Sequence, residues 1–167
     1  MLISDTYRQL NKELHETNEA YGTSGHKHAE AIVGLANAFQ TADILDYGCG
    51  KGTLNASIGI RIKEYDPAIE GKDDQPEQAD LVVCSDVLEH IEPDCLEAVL
   101  NELRSLSKRA VYLCVATRPA MKILADGRNA HLIVEDQHWW IPKLMYYWNM
   151  MHFQDAGGEF VFVGTKK

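Results

Sequence analysis

ILDYGCGKGTL, Ile44 to Leu54, sets three glycines at alternate positions, Gly48, Gly50 and Gly52, behind a short apolar run. A glycine turn directly after a strand brings a ligand against bare main chain, and its neighbours decide which ligand. A nucleotide-triphosphate loop ends in Gly-Lys followed by Ser or Thr, so that the hydroxyl reaches magnesium; here Lys51 is followed by Gly52. The dinucleotide fingerprint needs its last glycine three residues after its second, opening the helix beneath the pyrophosphate. That position is Thr53. What remains is GxGxG after a buried strand, a turn suited to a ligand that lies on the backbone without phosphates. An acid about 20 residues further on is the usual acceptor for ribose hydroxyls, and Asp66 follows Gly48 by 18 residues.

Outward from this stretch the chain alternates. Toward the N-terminus the pattern predicts a helix over Asp5–Ala20, with Tyr7, Leu10 and Leu14 on one stripe and Gly22 just past its end. After the YGTSG loop, Ser24 is placed to cap a second helix carrying Ile32, Leu35, Ala36 and Phe39. Toward the C-terminus, DLVVCS (80–85) and AVYLCV (110–115) read as strands buried on both faces. Between them Pro93 opens a helix with Leu96, Val99, Leu100 and Leu103 on its stripe. Trp140, Leu144, Tyr147, Trp148 and Met151 predict one more helix, and the tail forms a hairpin around Gly157 and Gly158. Strands alternating with helices give an α/β class: a doubly wound, mostly parallel sheet with a C-terminal antiparallel hairpin. Ligands in such sheets bind outside the carboxyl ends of the strands.

Composition agrees with one soluble globular domain over residues 1–167, with no repeat or linker. A formal charge of -9 disfavours the phosphate contacts that carry nucleic-acid affinity. No apolar stretch approaches the length of a membrane span, and the N-terminus has no basic segment followed by an apolar run, so a cytoplasmic protein is expected. Cys49, Cys84, Cys95 and Cys114 form no CxxC pair and read as reduced core thiols. No histidine and carboxylate spacing makes a convincing metal site, so no metal is expected.

The order LDYGCGKGTL, EYDPA, ADLVVCSDVLEHI resembles motif I, the acidic second-strand motif and the fourth-strand motif of class I (Rossmann-like) S-adenosylmethionine-dependent methyltransferases. The resemblance covers Ile44 to Thr117, and the flanks are similar to those of small members of the family. It implies a methyltransferase using S-adenosyl-L-methionine, with residues 1–40 as N-terminal helices capping the cofactor site. Carried over, Gly48, Gly50 and Gly52 would lie against the methionine part of the cofactor and Asp46 would help hold its amino group. Asp66 would take the ribose hydroxyls, with Glu64 competing, while Asp86, Val87 and Leu88 would border the adenosine and the transfer point. One departure stands out: only thirteen residues separate Asp66 from Asp80, too few for a helix and a strand. The third strand is shortened or missing, which leaves the adenine contacts unassigned, Asp73 and Asp74 being candidates.

Methyl transfer from a sulfonium needs alignment first and a base only if the nucleophile arrives protonated. His131 and His90 are the catalytic candidates, since histidine serves near neutral pH. The segment TRPAMKILADGRNAHLIVEDQHWW follows the fifth strand of the family order, so Arg118, Asn129 and His138 are expected to bind the substrate, with Arg128 and Glu135 adding charge. SDVLEH lacks the Pro-Pro-aromatic loop of nucleic-acid amino-methyltransferases, and no Pro-Cys nucleophile is present. A small polar molecule is therefore the expected acceptor. A non-catalytic cofactor-binding subunit and a nucleotide-sugar or dinucleotide enzyme of the same broad fold are the alternatives.

Overall fold

The computed structural model describes the whole chain, Met1 to Lys167. Six strands, β1 (Ile44–Tyr47), β2 (Lys63–Tyr65), β3 (Ala79–Ser85), β4 (Ser107–Ala116), β5 (Trp148–Asp155) and β6 (Glu159–Lys166), form one sheet in the order β2-β1-β3-β4-β6-β5. The first four run parallel, and β6 and β5 return antiparallel beside β4. The helices are α1 (Asp5–Thr17), α2 (Ala29–Phe39), α3 (Thr53–Ser57), α4 (Leu96–Leu106) and α5 (Gln137–Tyr147).

Strands β3 and β4 read as continuous apolar runs because helices cover both faces of the sheet. Alternation divides their side chains. Leu81 and Val83 pack with Ile32 and Ala36 of α2, whereas Val82 and Cys84 face Val99 and Leu103 of α4 and Trp140 and Leu144 of α5. Helix α4 buries Leu96, Val99, Leu100 and Leu103 at helical spacing, each worth about 1.5–3 kcal/mol when fully buried.

No strand or helix lies between β2 and β3, so the three-residue β2 is the sheet edge. The chain turns tightly there: the Asp66 N–H donates to Lys72 O at 2.9 Å, and Lys72 pairs with Glu64 at 3.3 Å. The third strand of the family pattern is thus missing, as the short spacing predicts.

Three boundaries differ from the sequence reading. Helix α1 stops at Thr17, where Asn18 turns extended at φ -127°. Ser24 caps no helix; it opens a 3₁₀ turn over Ser24–His28 that runs into α2. The last helix ends at Tyr147, and Trp148 and Met151 belong to β5. Pairing of Trp148 with Lys166 on β6 and burial of the indole, whose N–H donates to Ser107 Oγ at 3.2 Å, override the helical periodicity.

The carboxyl ends of β1 to β4 open on one side. Two segments cover that side: α1, and the long connection from Thr117 to Asp136. They pack on each other through Tyr7, Leu124 and Ala130. Glu92 anchors the start of α1 by accepting from Ser4 N and Ser4 Oγ, both at 2.8 Å, and Tyr7 donates its hydroxyl to His90 O at 2.6 Å.

Candidate active site

A cavity of about 720 Å³ lies beneath these two segments, within the range of roughly 300–1,000 Å³ typical of small-molecule sites. The glycine turn forms its floor. The N–H groups of Gly48 and Cys49 both donate to Tyr65 O, at 2.7 and 3.0 Å, which fastens the turn to the end of β2. Gly48 has φ +77°, and a Cβ there would stand 2.3 Å from Val87 Cγ2. Gly50, at φ +52°, is crowded by the chain itself: a Cβ would lie 2.5 Å from Gly22 O. The space beside Gly50 is therefore taken by the YGTSG loop rather than kept for a ligand. Gly52 makes room for Glu64 and Lys72 and is not part of the cavity wall.

Three carboxylates ring the floor, and their surroundings differ. Asp46 is 3% exposed. Burial, then the nearby Glu64 carboxylate, pushes it up to about 7, and no hydrogen bond from the chain offsets this. Asp66 accepts from Gly50 N and from Ala68 N, both at 3.0 Å, so each oxygen keeps one lone pair for a ligand. Glu64, the competing acid, points at Lys72 and away from the cavity. Asp86, at φ +56°, is partly buried, which favours its neutral form. The neighbouring His28 and Ser24 side chains and the charges of His28 and Lys27 outweigh this and hold it below the usual carboxylate range.

The opposite wall carries Glu89, His90, His131 and Arg118. His90 and His131 meet edge to face with ring centroids 4.7 Å apart. His131 Nδ1 lies 2.6 Å from Arg118 O; a carbonyl only accepts, so Nδ1 carries the proton and Nε2 the lone pair. Burial, then His131, pulls the His90 imidazole down to about 4. Glu89 is fully buried; burial, then Asp86, pushes it up to about 8, although its Oε1 accepts from Ala116 N at 3.1 Å.

Of the residues singled out in the sequence, Asp46, Gly48, Gly50, Asp66, Asp86, Val87, His90, His131 and Arg118 meet in this one cavity. Four do not. Leu88 is 0% exposed and packs in the main core. Asn129 is a loop clamp: its side chain accepts from Ala120 N at 2.9 Å and donates to Ala120 O at 2.8 Å. His138 is exposed in the first turn of α5, whose cap is Asp136. Gly52 faces Glu64 and Lys72, as described above. Arg128 pairs with Asp126 at 2.7 Å, and neither it nor the exposed Glu135 lines the cavity.

Sequence reasoning missed Glu89, His15, Asn11 and Tyr21, all in the wall. A signal existed: Tyr7, Asn11 and His15 recur at i, i+4 and i+8, a second stripe on α1. Glu89 sits three residues after Asp86 in a 3₁₀ turn, a placement no helical or strand period marks.

A family model described as a methyltransferase domain matches residues 15–157. No sequence relative is found among curated proteins. Among solved structures, the chain is similar to magnesium protoporphyrin IX methyltransferase from Synechocystis PCC 6803 with bound SAH, at TM-score 0.69 and 14% identity over 96% of this chain and 100% of that one. It is equally similar to the 1,6-didemethyltoxoflavin-N1-methyltransferase of Burkholderia thailandensis, at TM-score 0.69 and 14% identity over 97% and 89%. The DhpI–SAH complex follows at 0.64 and 17% over 95% of each chain. With a family match over most of its length and the mostly parallel sheet with an antiparallel hairpin that the sequence anticipates, the chain belongs to the class I S-adenosylmethionine-dependent methyltransferases.

Proposed function

We propose that this protein transfers the methyl group of S-adenosylmethionine to a small polar acceptor held in the same cavity. One observation carries the reading: a single cavity joins the glycine turn, with Asp46 and Asp66, to a second polar wall of Glu89, His90, His131 and Arg118. Two solved structures of the same fold are named for methyl transfer to small molecules, a porphyrin and a toxoflavin precursor, in keeping with an enclosed acceptor.

The residues present fit the cofactor. Asp46 is a buried carboxylate without a hydrogen bond from the chain, which suits an ammonium group. Asp66 keeps lone pairs for ribose hydroxyls, and Gly48 exposes main chain beside Val87. When bound, the cofactor supplies a methyl group already activated by its sulfonium. The protein then has to align the acceptor and exclude water. Helix α1 and the connection after β4 close over the cavity and do the excluding. His131 and His90 face the acceptor side and ease the loss of its proton, while Arg118, tied to Glu159 at 3.4 Å, offers a positive charge at the rim.

The test has two stages. S-adenosylmethionine and its demethylated product should raise the melting temperature while NAD does not, because saturating a site stabilises by RT ln(1 + [L]/Kd). A labelled methyl donor offered with a small-metabolite extract should then yield a labelled small molecule. Stabilisation by both cofactor forms with no labelled product would favour a non-catalytic binding subunit, and label recovered in nucleic acid would overturn the small-acceptor reading.

A further inference from the structure

The wall opposite the glycine turn contains buried polar atoms that the fold leaves without partners. Glu89 Oε1 accepts from Ala116 N, but Oε2 has no hydrogen bond although the residue is 0% exposed. His90 Nδ1 is likewise buried and unpaired. His131, from the far end of the long connection, brings its ring against that of His90. One ligand-capable atom of Glu89, one of His90 and one of His131 lie within 4.8 Å of one another. Buried polar atoms are nearly always satisfied, so a shared partner is the economical explanation.

We propose that Glu89, His90 and His131 bind a divalent first-row cation, which presents the oxygen of a hydroxylated acceptor for methylation. Two imidazoles and one carboxylate leave coordination positions open, the arrangement of catalytic rather than structural sites. Ligands sharing an ion at about 2.1 Å stand roughly 3–4 Å apart, so the cluster closes with small side-chain movements. His131 is already oriented as a ligating histidine is, with Nδ1–H given to the Arg118 carbonyl at 2.6 Å and Nε2 free. A mixed nitrogen and oxygen set suits Mn²⁺ or Zn²⁺ better than Mg²⁺, which prefers oxygen and keeps its waters.

A second trio, His28, Asp86 and Cys114, has the same compactness but a poorer donor set. His28 Nδ1 is taken by Tyr112 Oη at 3.0 Å, its Nε2 is buried without a hydrogen bond, 3.8 Å from Asp86, and burial pushes the Cys114 thiol far from the thiolate that binds metal.

The acceptor half of this inference rests on the methyl-transfer reading. A hydroxyl beside the cation loses its proton to solvent more easily. The new bond joins that oxygen to the methyl carbon as the carbon–sulfur bond breaks, its electron pair staying on sulfur. An oxygen nucleophile with a neighbouring oxygen to chelate is thus the acceptor class.

The full chain, stripped with EDTA and freed of chelator, is titrated calorimetrically with MnCl₂, ZnCl₂ and MgCl₂, with and without S-adenosylhomocysteine. Cobalt substitution gives an independent visible spectrum of nitrogen ligation. Mn²⁺ or Zn²⁺ should bind one per chain, and Glu89→Gln and His131→Ala should each weaken binding by at least about 10–100-fold, the range that even outer-shell partners command. Both variants should retain S-adenosylhomocysteine binding, which reports that they are folded. No stoichiometric binding to the wild type, or binding that survives both substitutions as an adventitious ion only, overturns the site. Failure of S-adenosylhomocysteine to bind the wild type would instead sink the methyl-transfer reading, whatever the metal does.

Discussion

The Gly50 N–H donates to Asp66 Oδ2 at 3.0 Å, so the acid at the end of the second strand is a structural partner of the glycine turn before it is a ligand of anything else. The same carboxylate caps Ala68 N and lies 4.0 Å from His15 Nε2 on α1. Turn, acid and covering helix are therefore positioned by one another, and a change in any of them should be felt both in stability and at the cofactor.

Gly50→Ala should destabilise the fold as well as weaken cofactor binding. The added Cβ meets the backbone of Gly22 at 2.5 Å and forces a side chain into φ +52°, so the YGTSG loop must move. Gly127→Ala is the control, because Gly127 is also left-handed, at φ +87°, yet its Cβ would meet nothing within 4 Å. The control should lose about 1 kcal/mol or somewhat more from backbone strain alone, and Gly50→Ala clearly more. Equal losses in urea unfolding would show that the loop yields freely and the close approach is unimportant.

Asp66→Ala removes a charged acceptor from two backbone donors, each such bond being worth about 1.5–3 kcal/mol. Melting temperature and S-adenosylmethionine affinity should fall together. Glu64→Ala breaks the pair with Lys72 outside the cavity and removes a charge that opposes ionisation of Asp46, so calorimetry should find affinity no weaker than wild type. The reverse ranking would mean that Glu64, not Asp66, holds the ribose.

The parallel half of the fold was legible because its signals are local: apolar runs for β3 and β4, a glycine turn after β1, a stripe on α4. The missing third strand was legible too, since thirteen residues cannot hold a strand and a helix. What escaped depended on pairing at a distance. Trp148 continues a helical stripe on paper, but its partner Lys166 lies across the hairpin. Gly50 looked like a ligand platform because nothing local says that Gly22 will press on it. Glu89, His90 and His131 meet only because the connection after β4 folds back under α1, so no spacing along the chain announces the cluster.

Asn129 and Arg118, neighbours in the same connection, should behave oppositely. Asn129→Ala leaves the Ala120 N–H and carbonyl and the His131 N–H without their partner, which predicts a loss of about 1–3 kcal/mol. Arg118 is exposed and held by one surface ion pair, so Arg118→Ala should leave the melting temperature within about 1 kcal/mol of wild type while turnover falls. Normal turnover in Arg118→Ala would place acceptor binding elsewhere in the cavity.

Asp46 predicts an exchange of stability for binding that depends on pH. Its carboxyl titrates near 7 in the fold because burial, then Glu64, with Asp66 adding, outweighs the charges of Lys72 and His28; in the unfolded chain it titrates near 4. Between those values the folded state holds a proton that the unfolded state has released, so stability must decline as pH rises through this window. Below about pH 4 both states are protonated and the penalty vanishes. Asp46→Asn keeps the shape and removes the charge, so its melting temperature should match wild type in acid and exceed it by several degrees at pH 8. The cofactor's ammonium group should reverse the ranking: S-adenosylmethionine should raise the wild-type melting temperature more at pH 7.5 than at pH 5.5, and that of Asp46→Asn little at either. Because every other ionisable group is common to both proteins, the difference between the two curves isolates Asp46. Parallel curves from pH 4 to pH 8 would show that this carboxylate carries neither the penalty nor the ammonium.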